Sequence, residues 1–107
     1  MAHFLLQVAY TPESWAKFIA KPQNRAQALK PVVEKLGGAL ESAWFCFGEY
    51  DTVVILRMPD NAAAGAFAVA AAAGGAVKAI KTTPLMSIEE GMDMLKKAAA
   101  SGYKPPQ

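Results

Sequence analysis

Three short runs of this chain carry apolar side chains at every position: Phe4-Leu5-Leu6, Ala43-Trp44-Phe45-Cys46-Phe47 and Val53-Val54-Ile55-Leu56. Successive residues of a β-strand point to opposite faces, so a strand with one face in water alternates apolar with polar residues. These runs do not alternate, so any sheet built from them must be covered on both faces. Monomers tolerate exposed apolar patches of only about a few hundred Å². A sheet with helices on one side therefore needs a second cover, and another copy of the same face is the simplest, because isologous association requires only self-complementarity.

The remaining elements follow from punctuation and period. Phe4 to Tyr10 reads as the first strand, closed by Thr11-Pro12, where Thr11 suits a helix N-cap and Pro12 the first helical position. Trp15, Phe18 and Ile19 recur at helical spacing until Pro22 interrupts them. Asn24 caps a further run, in which Leu29, Val32, Val33 and Leu36 keep the 3.6-residue period to Gly37-Gly38, with a kink expected at Pro31. Leu40–Phe47 and Thr52–Met58 read as strands joined into an antiparallel hairpin by Gly48-Glu49-Tyr50-Asp51. Pro59-Asp60 opens an alanine-rich helix, read as buried, that ends at Gly74-Gly75. Ala76 to Thr82 is a weaker strand stopping before Thr83-Pro84, and Ser87-Ile88-Glu89-Glu90 is a capping box opening a last helix through Met92 and Leu95. The order β-α-β-β-α-β plus a C-terminal helix predicts an α+β, ferredoxin-like domain over residues 1–100, with an antiparallel four-stranded sheet. Residues 101–107 read as a loose tail.

Charge and motifs then exclude whole classes of function. Eleven Lys and Arg against nine Asp and Glu leave a net charge of +2, and the basic residues are scattered, so no nucleic-acid partner is expected. Phe45-Cys46-Phe47-Gly48 has the aromatics of an RNA-recognition strand without its basic flanks. Nowhere do about 18 apolar residues run together, so no membrane partner is expected, and the start lacks a basic segment followed by an apolar one, which predicts a cytoplasmic protein. Cys46 is the only cysteine and reads as a small buried hydrophobe rather than a reactive thiol. His3 is the only histidine, and there is no CxxC, HExxH, Walker A loop or GxGxxG after a strand, so neither a metal nor a cofactor is expected.

At Gly48-Glu49-Tyr50-Asp51, and in the apolar strand Thr52-Val53-Val54-Ile55 behind it, the chain resembles the GYD family. Tyr10-Thr11-Pro12-Glu13, Leu36-Gly37-Gly38, Pro59-Asp60 and Ser87-Ile88-Glu89-Glu90 look like further landmarks of that family, from about residue 3 to residue 95. The sequence departs from the commoner pattern in its alanine-rich second helix and in Ala9, where a charged residue often stands. The resemblance implies a dimeric α/β barrel, in agreement with the two-faced strands, but it names no reaction and no substrate.

The candidate ligand-binding residues are Tyr10, Trp15, Trp44, Glu49, Tyr50, Asp51 and Arg57. Glu49 and Asp51 would supply carboxylates, and Tyr10 and Tyr50 hydroxyls, at a pocket rim of the kind where related barrels handle small aromatic or carbonyl compounds. Trp15 and Trp44 could stack on a ligand or serve as core. Arg57 must reach solvent or meet an anion, with Glu41, Glu49 or a partner subunit as the candidate counter-ions. The same turn can be wholly structural, with Gly48 taking an unusual dihedral, Asp51 accepting from backbone N–H groups and Tyr50 packing over the hairpin end. Two functions compete: a small homo-oligomeric protein that binds an apolar molecule or acts as an accessory, and a cofactor-independent enzyme, monooxygenase- or isomerase-like, using Tyr, Asp or Glu for proton transfer. A pocket of roughly 300 Å³ with two or more converging polar groups would favour a ligand.

Overall fold

The first strand sets the frame of the molecule, because in the computed structural model, which describes residues 1–106, it lies in the middle of the sheet. The elements run β1 (Ala2–Tyr10), α1 (Pro12–Ala20), α2 (Arg25–Lys35), β2 (Ala39–Phe45), β3 (Thr52–Met58), α3 (Asn61–Ala73), β4 (Val77–Leu85) and α4 (Ile88–Ala100). The strands form one sheet in the order β2-β3-β1-β4, with every neighbouring pair antiparallel. This is the expected ferredoxin-like α+β arrangement.

Local chemistry places the helices. Thr11 Oγ1 accepts from Ser14 N at 3.1 Å and Asn24 Oδ1 from Gln27 N at 3.1 Å, so Pro22 separates two capped helices, α1 and α2. Asp60 Oδ1 accepts from Ala63 N at 2.8 Å to open α3. At α4 both arms of the capping box form, Ser87 N donating to Glu90 Oε1 at 3.2 Å and Glu90 N to Ser87 Oγ at 3.0 Å.

One face of the sheet carries the core. Phe4, Leu6, Val8 and Tyr10 of β1 and Val54, Leu56 and Met58 of β3 are buried there against Val33 of α2 and Ala64 and Phe67 of α3. Leu6, Leu56, Met58, Val33 and Val54 are the largest fully buried side chains, and each contributes roughly 1.5–3 kcal/mol of burial. The other face is open. Leu5 pairs with Ile55 and Gln7 with Val53, and these four are only half-buried, with Trp44 beside Val53 and 68% exposed.

Several boundaries differ from the sequence reading. β4 does not stop before Thr83-Pro84 but runs through Pro84, which pairs with Phe4. An edge strand has one row of unbonded N–H groups, so a proline there costs little. β2 ends at Phe45, so Phe47, 98% exposed, belongs to a Cys46–Asp51 connection longer than the four residues expected. Ile19 faces solvent. The alanine-rich α3 buries only Ala64 and Phe67, because methyl side chains offer too little area to hold more than one helix face against the sheet. Gln107, the end of the expected tail, lies outside the described residues.

α4 buries none of its residues and makes no extensive contact with any other element. It gives the chain a radius of gyration of 17.1 Å and a longest dimension of 57 Å, against about 13 Å for the radius of a compact domain of this size. Among the described residues, no helix is long and apolar enough to cross a membrane.

Candidate functional site

The C-terminal end of β1 delivers Tyr10 into the gap between the sheet and the helices. Its ring is held edge-on by Trp15 (centroids 5.4 Å apart) and Phe18 (5.1 Å), both from α1, and Trp15 meets Phe45 of β2 at 6.4 Å. These contacts fix the phenol, whose oxygen accepts from the buried Thr52 hydroxyl at 3.1 Å. With Thr52 as donor, the phenol keeps its own proton for a further acceptor.

Next to this pair lies a cavity of about 300 Å³. Its floor is Leu6, Val8, Tyr10 and Thr52, and its walls are Leu29 and Arg25 of α2, Phe67, Ala70 and Ala71 of α3, and Val77 and Ile80 of β4. The void exists because α3 presents Ala70, Ala71 and then Gly74 to it, where larger side chains would close the layer. A more open groove of about 460 Å³ runs along β2 over Ala43, Trp44 and Phe45 to Pro22–Ala26, and it shares Arg25 and Thr52 with the cavity. A third cleft, of about 230 Å³, is lined by Glu13, Lys17 and again Arg25.

The sequence-predicted residues do not come together in one place. Tyr10 lines the cavity, Trp44 lines the groove, and Trp15 packs behind Tyr10. Glu49, Tyr50 and Asp51 line none of these three spaces. Asp51 instead spans the ends of two strands, its Oδ2 accepting from Tyr10 N at 2.9 Å while its own N–H donates to Val8 O at 2.8 Å. Cys46 N donates to Asp51 O at 2.8 Å and Cys46 Sγ to Tyr50 O at 3.3 Å, which closes the loop. Gly48 has φ +127°, a conformation that suits glycine. Arg57 lies on the open face, its Nε 2.8 Å from Glu41 Oε1 in an ion pair whose angle does not make a hydrogen bond, and His3 Nε2 reaches the same oxygen at 3.3 Å. Among the described residues, no three His, Cys, Asp or Glu side chains cluster to hold a metal ion.

Two polar residues of the cavity are not among the candidates that the sequence offers: Thr52, which opens an apolar strand, and Arg25, which follows a helix N-cap. Arg25 did carry a signal. It follows the N-cap Asn24, and the first turn of α2 holds no acidic residue, although the positive end of a helix dipole favours anions and disfavours cations.

No curated protein matches the sequence. Among solved structures, the crystal structure of MtbAldR superposes with a TM-score of 0.57 at 14% identity, over 80% of this chain and 52% of that one. The chain thus spans about half the length of that protein, and the likeness is one of fold. The family model described as GYD domain matches residues 4–95, a span that holds β1 from Phe4 onward, the other three strands, the Gly48–Asp51 turn and the capping box of α4. The chain belongs to the GYD domain family.

Proposed function

We propose that this protein is a small homo-oligomeric binding protein that holds an apolar small molecule between its sheet and its helices. The observation that carries the reading is the cavity of about 300 Å³, apolar on most of its surface, with Tyr10, Thr52 and Arg25 as its polar lining residues. Ligand sites combine this size and a mostly apolar wall with a few placed polar groups. No carboxylate lines the cavity, and Asp51 is engaged by the Tyr10 backbone. Proton-transfer catalysis by Tyr with Asp or Glu therefore has less support than binding.

Assembly is supported by surface. The chain exposes 7577 Å², about a third more than the roughly 5,700 Å² expected of a compact monomer of 11.3 kDa. The excess has two identifiable sources: the open sheet face around Leu5, Val53 and Ile55, and the α4 stripe Ile88, Met92 and Leu95, all of whose side chains stand in solvent. A second copy that buries both would leave the ligand cavity, on the opposite face, accessible.

Native mass spectrometry of the purified protein reads subunit number and retained ligand together. We expect a dimer or larger assembly carrying a small molecule, and loss of that molecule without loss of fold in Ala71→Leu, whose larger side chain occupies the void. A bare 11 kDa monomer would refute the reading.

A further inference from the structure

Arg25 is the one residue that lines the cavity, the groove and the third cleft together. Its guanidinium lies over the Phe18 ring, 5.6 Å from the centroid, and Nη1 donates to Gln23 Oε1 at 3.2 Å. Its Nε is buried with no hydrogen-bond partner. The ion pairs among the described residues are His3–Glu41, Arg57–Glu41 and Lys97–Asp93, so no carboxylate neutralises Arg25, although Glu13 lines the adjoining cleft. A half-buried, unpaired cation is costly to keep in a folded chain, and the N-terminus of α2 adds its own positive potential to the same spot. The groups around it offer hydrogen bonds to a bound anion: free N–H groups of the guanidinium fork and the phenol of Tyr10, which accepts from Thr52. The fork matches the two oxygens of a carboxylate. Apart from Tyr10 and Thr52, the rest of the lining is apolar, Leu6, Val8, Leu29, Phe67 and Ile80 among it.

We propose that the cavity takes an amphipathic monocarboxylate, with Arg25 holding the carboxylate at the mouth and the apolar body lying between β1 and α3. This rests on the reading of the cavity as a ligand site and adds the sign of the ligand's charge and the residue that reads it. The alanine-rich α3 and the unpaired Arg25 then serve one purpose, since the first makes room for the body and the second anchors the head.

Isothermal titration with octanoate, 3-phenylpropanoate, 1-octanol and inorganic phosphate tests it, with the two carboxylates separating an aliphatic from an aromatic body. We expect at least one carboxylate to bind at least tenfold more tightly than 1-octanol, and phosphate, which has no apolar body, to bind weakly. In Arg25→Gln that tenfold preference disappears while 1-octanol binding is unchanged, and Arg25→Lys, which keeps the charge without the fork, restores part of it. Melting curves of both variants verify the fold. Equal affinity for 1-octanol and both carboxylates, or a preference that survives Arg25→Gln, overturns the anion inference and leaves the apolar site standing. A preference that survives Ala71→Leu places the binding elsewhere and overturns the inference. If neither carboxylate nor 1-octanol binds at millimolar concentration, the cavity itself is no ligand site and both readings fail together.

Discussion

Asp51 carries out at the atomic level what the Gly48–Asp51 turn does for the sheet. Its carboxylate satisfies Tyr10 N at 2.9 Å where the β1–β4 register shifts between Ala9 and Tyr10, so the strand irregularity that aims Tyr10 is stabilised from the hairpin. Asp51→Ala leaves a part-buried N–H unpaired and should cost about 1–3 kcal/mol, whereas Asp51→Asn retains an acceptor and should lose less than half of that in chemical denaturation. Gly48→Val should cost about 1–2 kcal/mol through backbone strain alone, since nothing lies within 4 Å of an added Cβ there. Gly38 is different: its φ is ordinary, but a Cβ would collide with the Arg57 carbonyl and the Met58 sulfur. We expect Gly38→Ala to lower the melting temperature more than Gly48→Ala, by way of about 1–3 kcal/mol of overpacking. Tyr50→Phe should leave the melting temperature unchanged; loss of a co-purifying ligand in that variant would move the functional site to the turn.

Among the elements, α3 and α4 show how an apolar composition can leave a helix almost unburied. α3 docks through Ala64 and Phe67, so Phe67→Ala should cost about 3–5 kcal/mol, while Val69→Ala, at a position 69% exposed, should be close to neutral in the same melt. α4 is well capped but makes no extensive contact with any other described element. A helix of 13 residues is marginal in water on its own capping and propensity. Its amides should therefore exchange with solvent far faster than those of β1 in dilute protein and slow as concentration rises, if the Ile88, Met92 and Leu95 stripe is buried by a second copy. Exchange that ignores concentration would assign the stripe no role in assembly.

For the whole molecule, the two parities of β3 separate folding from assembly. Leu56 is 1% exposed in the single chain, whereas Ile55 on the next position is half-buried on the open face. Leu56→Asp should abolish folding, because an unpaired carboxylate would enter the core. Ile55→Asp should leave a folded chain whose mass by light scattering falls to 11.3 kDa, against at least twice that for the parent protein. A folded, fully assembled Ile55→Asp protein would show that the open sheet face is not the contact.

Short-range physics made much of this protein readable before any tertiary information. Caps at Thr11, Asn24, Asp60 and Ser87, the glycines that end helices, and apolar runs too short for helices depend on neighbours within about four residues, and they order the strands and helices, except that the order β-α-β-β-α-β counts α1 and α2 as one helix where Pro22 makes two. Site geometry depends on residues far apart in the chain. The Tyr10–Thr52 hydroxyl pair spans 42 positions and the Asp51–Tyr10 bond 41, so no local pattern distinguishes them from ordinary strand residues. Pro84 reads locally as a breaker, because only strand order reveals that β4 is an edge. The cavity, likewise, belongs to no segment: it is the difference between the space that the sheet and α2 enclose and the volume that the alanines of α3 fill, and only packing three elements together decides how large that difference is.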